Sequence, residues 1–208
     1  MATSARTQSD TITNKQIGQI NDRLATQLRS SGFSAESVQL VLAAPGGAAI
    51  SDMLAAFRKH VEANSDLIVR RSKPDRTLTS DAALRATGRN LYVNDEVVAA
   101  MPRGTGEDGE TVFFRLDLSD RGGYISDADL DKEYELRGLV PEEPDTLAAV
   151  NQDDPVFADD HPNATHWKDD RGRYCFAAFD RWDDDRGVSV NRSDNDWLGY
   201  WWFAGRRK

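Results

Sequence analysis

All five tryptophans of the chain lie at or after residue 167, in a stretch where small polar residues alternate with others. From Asp183 to Asn195 every second position is Asp, Gly, Ser or Asn, and Val188 and Val190 stand between them. Successive side chains of a strand point to opposite faces, so this alternation separates a polar face from a packing face. Short connections then predict an antiparallel sheet. The predicted strands are residues 174–182, 188–192 and 197–204.

A small helical region is predicted ahead of this sheet, over residues 12–72. It contains three amphipathic stretches, broken at Gly32 and at Pro45-Gly46-Gly47. A packing or oligomerisation module fits this pattern. A helix-turn-helix fits less well, because the third stretch has little positive charge. Residues 1–11 are polar and predict a disordered tail.

Residues 80–208 predict one α+β domain. Strands are expected at Leu91-Tyr92-Val93, at Val97-Val98 and over 112–116. Ser126 with Asp129 three residues later predicts a helix over 127–137, and Gly138 predicts its end. A second helix is expected over 145–151.

The bulk composition excludes some functions. The formal net charge of −9 argues against nucleic-acid binding, which needs a basic face. The polar N-terminus and the lack of a long apolar run predict a cytoplasmic protein without membrane insertion. A single cysteine, Cys175, suits a reducing compartment.

No catalytic or metal-binding pattern stands out, so we expect no enzyme activity and no cofactor. His161 and His166 lie near Cys175 in sequence, and a cysteine enzyme is the least favoured alternative because Cys175 sits in an apolar strand. The segment beginning at Asp117 resembles a calcium loop, but its twelfth position is Ala128, where a glutamate is required.

The alternating positions predict a ligand-binding face. Each of these residues can arise from an asparagine codon by altering its adenines, and the types that cannot (Lys, Glu, Gln, Met and Trp) are absent from these positions. Between them, the side chains expected to be buried are Trp182, Val188, Val190, Trp197 and at least one of Trp201 and Trp202. The predicted ligand-binding residues are Asp180, Asp183, Asp185, Gly187, Ser189, Asn191, Ser193, Asn195, Leu198 and Tyr200.

The stretch from residue 174 onward resembles the variable region of target proteins of diversity-generating retroelements. The resemblance rests on the Arg186-to-Arg192 core, with valines at its alternate positions, and on the closing Trp201-Trp202-Phe203-Ala204-Gly205. It implies a C-type-lectin-like fold with two helices and a twisted antiparallel sheet. The variable region would span about 179–200 and display diversified residues on a rigid scaffold.

A second reading is an acidic interaction or inhibitor protein of viral origin that mimics nucleic-acid charge. A reverse transcriptase gene and a template repeat beside the gene would separate the two. If the protein is a retroelement variable protein, its expected partner is a protein or another macromolecule. The helical region would then serve homo-oligomerisation.

Overall fold

The computed structural model of the protein describes residues 12–106 and 109–208. The predicted polar tail, residues 1–11, lies outside them. The chain divides into two compact units, one ending at His60 and the other beginning at Val61.

Eight α-helices occur within the described residues. They are α1 (Asn14–Ser30), α2 (Ala35–Ala43), α3 (Ala48–Ala63), α4 (Ser80–Ala86), α5 (Asp95–Ala99), α6 (Asp127–Leu136), α7 (Pro144–Asp153) and α8 (Phe157–Asp160). The strands are β1 (Leu67–Ser72), β2 (Asn90–Val93), β3 (Gly109–Arg115), β4 (Tyr124–Ile125), β5 (Leu139–Pro141), β6 (Asn163–Lys168), β7 (Tyr174–Trp182), β8 (Asp185–Arg192), β9 (Trp197–Leu198) and β10 (Trp202–Arg207).

The first unit contains the predicted helices α1 and α2 and most of α3. Thr13 and Gln16 form a reciprocal capping box at the start of α1, and Ser34 caps α2. None of the described helical residues of α1, α2 and α3 is buried. Among the described residues no single helix is long and apolar enough to cross a membrane; α2 and α3, bent by 90°, reach that length only together.

Two segments differ from the sequence prediction. The helical region was predicted to run to residue 72, but Leu67–Ser72 form β1, which pairs antiparallel with β3. Val97 and Val98 were predicted to lie in a strand and lie instead in α5. Asn94 explains this change, because its side chain accepts hydrogen bonds from the backbone N–H groups of Glu96 and Val97 and so begins a helix.

The second unit is built on one large sheet in the order β1-β3-β10-β6-β7-β8-β2, with β5 beside β10. The α+β class is therefore confirmed, but the sheet is mixed where an antiparallel one was predicted. β10 runs parallel to β6, and β2 runs parallel to β8. Both strands arrive from distant parts of the chain, so the short connections of β6–β7–β8 could not reveal their direction.

The two faces of the sheet carry separate apolar clusters. On one face Leu84, Leu147 and Phe157 of α4, α7 and α8 pack with Phe179 and with the β8 valines. On the other face α6 and the small sheet β4–β9 pack over β3, β10, β6 and β7. Beyond β7 this layer leaves the sheet accessible: on the same face Tyr92 of β2 is 53% exposed, and Asp185, Ser189 and Asn191 of β8 are partly exposed.

Candidate functional site: the open face of β7, β8 and β2

Strand β8 separates its side chains as the alternation predicted. Val188 and Val190 are 0% exposed and belong to the first apolar cluster. Asp185, Ser189 and Asn191 point to the opposite face and are half-buried. Because the covering layer ends at β7, these polar side chains lie on an uncovered part of the sheet.

We call this surface the open face. Cross-strand register places Asp180 beside Gly187 and Trp182 beside Asp185, while Asn90 pairs with Gly187 and Tyr92 with Ser189. The open face comprises Asn90, Tyr92, Asp180, Trp182, Asp185, Gly187, Ser189 and Asn191.

Sequence reasoning missed Asn90 and Tyr92. Both donate side-chain hydrogen bonds to the carboxylate of Asp185, and Asn191 donates to the carbonyl oxygen of Tyr92 at 3.0 Å. The bonds from Tyr92 and Asn90 lower the pKa of Asp185, so it is a fixed anion. The alternation Asn90-Leu91-Tyr92-Val93 resembles that of β8, but only the parallel pairing brings the two together.

The predicted ligand-binding residues differ in accessibility. Most are exposed or half-buried, but Gly187 is buried and its expected exposure was wrong. A methyl group added there would lie 3.3 Å from both the Asp180 carboxylate and the Tyr92 ring. Gly187 is therefore the floor of the open face. The exposed members are Asp183, Asn195, Leu198 and Tyr200, and the half-buried members are Asp180, Asp185, Ser189, Asn191 and Ser193.

The expected burial of Trp182 was also wrong, because the side chain is 78% exposed. It stands beside the hairpin turn, beyond the layer that covers Phe176 and Ala178 earlier on the same strand. Burial of Trp197 and Trp202 is confirmed, at 6% and 5% exposure. Asp183 in the turn has a φ of 53°, a left-handed conformation that Asp and Asn tolerate better than most residues.

Asp180 is a half-buried carboxylate that lies beside Gly187 on the open face. Burial raises its pKa; Arg89 acts against this shift and Asp185 adds to it. Arg89 contacts the backbone carbonyl of Asp180 at 2.8 Å. Burial and, to a lesser extent, the charge of Asp180 raise the pKa of Tyr200.

The arginines between the displayed positions anchor the strands. Arg186 forms a bidentate ion pair with Asp159, and Arg181 reaches the same carboxylate at 3.5 Å. At the other end of β8, Arg192 pairs with Glu96 at 2.9 Å. The contacts with the largely buried Asp159 hold β7 and β8 to α8, whereas the pair with Glu96 of α5 is exposed and contributes little.

Cys175 and His166 do not come together as a catalytic pair. Cys175 pairs with Trp167 and His166 with Phe176 in adjacent register, so the thiol and the imidazole lie on opposite faces of the sheet. Cys175 is buried, and burial raises its pKa. Within residues 12–106 and 109–208, no three His, Cys, Asp or Glu side chains are grouped to hold a metal ion.

Comparisons with family models, with curated proteins and with solved structures each found no match to this chain.

Proposed function

We propose that the protein is a ligand-binding protein without catalytic activity, which binds through the open face and the adjoining Leu198 and Tyr200. One observation carries this proposal. On strand β8 the side chains of Val188 and Val190 are fully buried. The polar side chains that alternate with them lie on the other face, in a part of the sheet that the second layer leaves uncovered. A surface of this kind can change its side chains without disturbing the core.

The same division supports the variable-protein interpretation drawn from the retroelement resemblance. Such a protein needs a framework whose stability does not depend on the displayed residues. Val188, Val190 and the pair of Arg186 with Asp159 provide contacts of that kind. The C-type-lectin-like scaffold belongs to this proposal, supported by α6 and α7 preceding β6–β7–β8 and by the return of β10 between β3 and β6.

The chemistry of the open face favours a cationic partner. Asp180 is a half-buried carboxylate on this face, and burial raises its pKa. The rings of Tyr92 and Trp182 are exposed on the same face of the sheet, and the ring of Tyr200 is exposed as well. A carboxylate beside aromatic rings suits Lys or Arg side chains, through charge and cation–π attraction. The partner proposed is therefore a protein or other macromolecule with a basic patch, and not a nucleic acid.

Self-association through α1–α3 is proposed as the route to multivalency. Large apolar side chains on these helices, among them Leu40, Leu54 and Phe57, are exposed within the described chain. Helices of this length gain most of their stability from packing. Several copies of a modest binding face would raise the overall avidity.

Two libraries on a display system test the function. The first randomises Asp180, Asp183, Asp185, Ser189, Asn191, Leu198 and Tyr200, and the second randomises Val188, Val190 and Arg186. We expect the first library to stay folded and to yield binders to varied targets, and the second to lose folded display. The parent should bind a lysine- and arginine-rich peptide more tightly than its Asp180→Asn variant, with weaker binding at high salt. Equal loss of folding in both libraries would reject the proposal.

A further inference from the structure

A single buried carboxylate connects the helix layer to the segment that follows β8. Asp127, the first residue of α6, accepts the indole N–H of Trp197 at 2.8 Å and the hydroxyl of Ser193 at 2.5 Å. It also contacts Nδ1 of His166 at 2.8 Å. Asp127 therefore joins α6, β6, the end of β8 and β9.

The carboxylate of Asp127 is positioned by His166, whose own ring is enclosed by its neighbours. His166 is 1% exposed and lies between the rings of Tyr134 and Tyr174, with ring centroids 5.6 and 5.5 Å away. Its Nε2 lies 3.1 Å from Asp131, within ion-pairing distance although the alignment is too poor for a hydrogen bond. Asp127 also lies at the N-terminus of α6, where the positive end of the helix dipole stabilises its negative charge.

The segment tethered in this way carries part of the displayed set. Residues 193–200, here called the distal segment, include Ser193, Asn195, Leu198 and Tyr200. Their regular pairing is slight: β9 has two residues, which pair with β4, and the backbone N–H of Ser193 bonds to Tyr174. The two side-chain bonds to Asp127 therefore act together with the packing of the buried Trp197 ring to fix this segment.

We propose that Asp127 is the positioning residue of the distal segment and that Ser193 is its anchor rather than a displayed residue. The alternation that runs through β8 thus changes role at its end. Positions up to Asn191 present side chains on a strand, whereas Ser193 turns its hydroxyl inward and sets the geometry of Leu198 and Tyr200. The importance of these residues for binding rests on the proposed function; the tether itself does not.

Hydrogen–deuterium exchange without any ligand tests the tether, so its outcome is independent of whether the open face binds anything. Ser193→Ala removes one bond to Asp127, and Asp127→Asn keeps the size of the side chain but removes its charge. We expect amide exchange over residues 193–200 to rise about five- to tenfold in Ser193→Ala, as for the loss of one hydrogen bond. The indole N–H of Trp197 should exchange faster in both variants, while β7 and β8 remain protected.

Two further variants make the test specific. Ser193→Thr keeps a hydroxyl and should restore protection, and Ser189→Ala removes the same group from the open face without touching Asp127. If Asp127→Asn fails to fold, Ser193→Ala still decides the question. Unchanged exchange in Ser193→Ala, an equal rise across all strands, or the same effect from Ser189→Ala would overturn the proposal.

Discussion

Arg186 contacts both carboxylate oxygens of Asp159, with Nε 3.0 Å from each. The same carboxylate lies 3.9 Å from Arg89, whose side chain is only 1% exposed. Asp159 is therefore the counter-charge for a buried cation as well as the anchor of the hairpin β7–β8. It joins the framework beneath the open face to α8.

Asp159→Asn should accordingly destabilise the protein by about 2 kcal/mol, because it leaves the charge of Arg89 buried without its nearest anion. Asp184→Asn is the matched control, since Asp184 also pairs with Arg181 but is fully exposed and should change little. Denaturant unfolding of both variants measures the difference. Equal effects would show that Asp159 acts only as another surface charge.

Two tryptophans distinguish framework from display. Trp197 is buried and packs edge-on against Phe176, Trp201 and Phe203, so Trp197→Ala should cost roughly 3–5 kcal/mol of unfolding free energy. Trp182→Ala should cost less than about 0.5 kcal/mol, because the side chain is exposed. Thermal or denaturant melts of the two variants make the comparison. Similar losses would mean that Trp182 is structural despite its exposure.

Gly187 should not tolerate the substitution expected of a displayed position. Gly187→Leu would push against Asp180 and Tyr92, and overpacking of this kind costs about 1–3 kcal/mol. Ser189→Leu, two residues further along the same face, is the control and should cost much less. If both variants unfold at the denaturant concentration of the parent, the floor of the open face is more adaptable than its geometry indicates.

Glu142 should give the protein a pH-dependent loss of stability. Burial raises the pKa of this carboxyl to about 7 from the usual value of 4.5, and the adjacent Glu143 adds to the shift. The folded state therefore holds a proton that the unfolded state releases. The stabilisation from Glu142 is complete below about pH 4.5 and is lost as the pH rises through about 7.

Glu142→Gln should remove this dependence, since the amide stays neutral. Because other carboxylates also titrate, the informative quantity is the unfolding free energy of the variant minus that of the parent, measured from pH 4 to pH 8. We expect it to increase with pH by at most about 3 kcal/mol. A difference that does not change with pH would show that folding does not raise the pKa of Glu142.

Cys175 should react slowly with a thiol reagent in the native protein and rapidly after unfolding. Its 1% exposure and raised pKa both disfavour the reactive thiolate. The measurement is the time course of alkylation with and without denaturant. Rapid native alkylation would support the cysteine-enzyme alternative.

The sequence predicted what local pattern controls. Strand β7 begins and ends at the predicted residues, and α6 begins after Ser126 as its cap requires. Pairing between strands that are distant in the chain could not be predicted from the sequence. Tyr92 joins the open face only because β2 pairs parallel with β8, and the exposure of Trp182 depends on where the opposite layer ends. Ser193 continues the alternation of β8, yet its hydroxyl donates inward to Asp127. Sequence alone could not predict this bond, because Asp127 lies 66 residues away in the chain.

The central place of β10 has a consequence for synthesis. Its residue Phe203 pairs with Phe114 of β3 and with Ala164 of β6, both of which leave the ribosome earlier. Until Trp202–Arg207 follows, those two strands have no neighbour between them, and unpaired edges invite aggregation. The nascent chain is therefore expected to be especially vulnerable to aggregation and proteolysis just before β10 emerges.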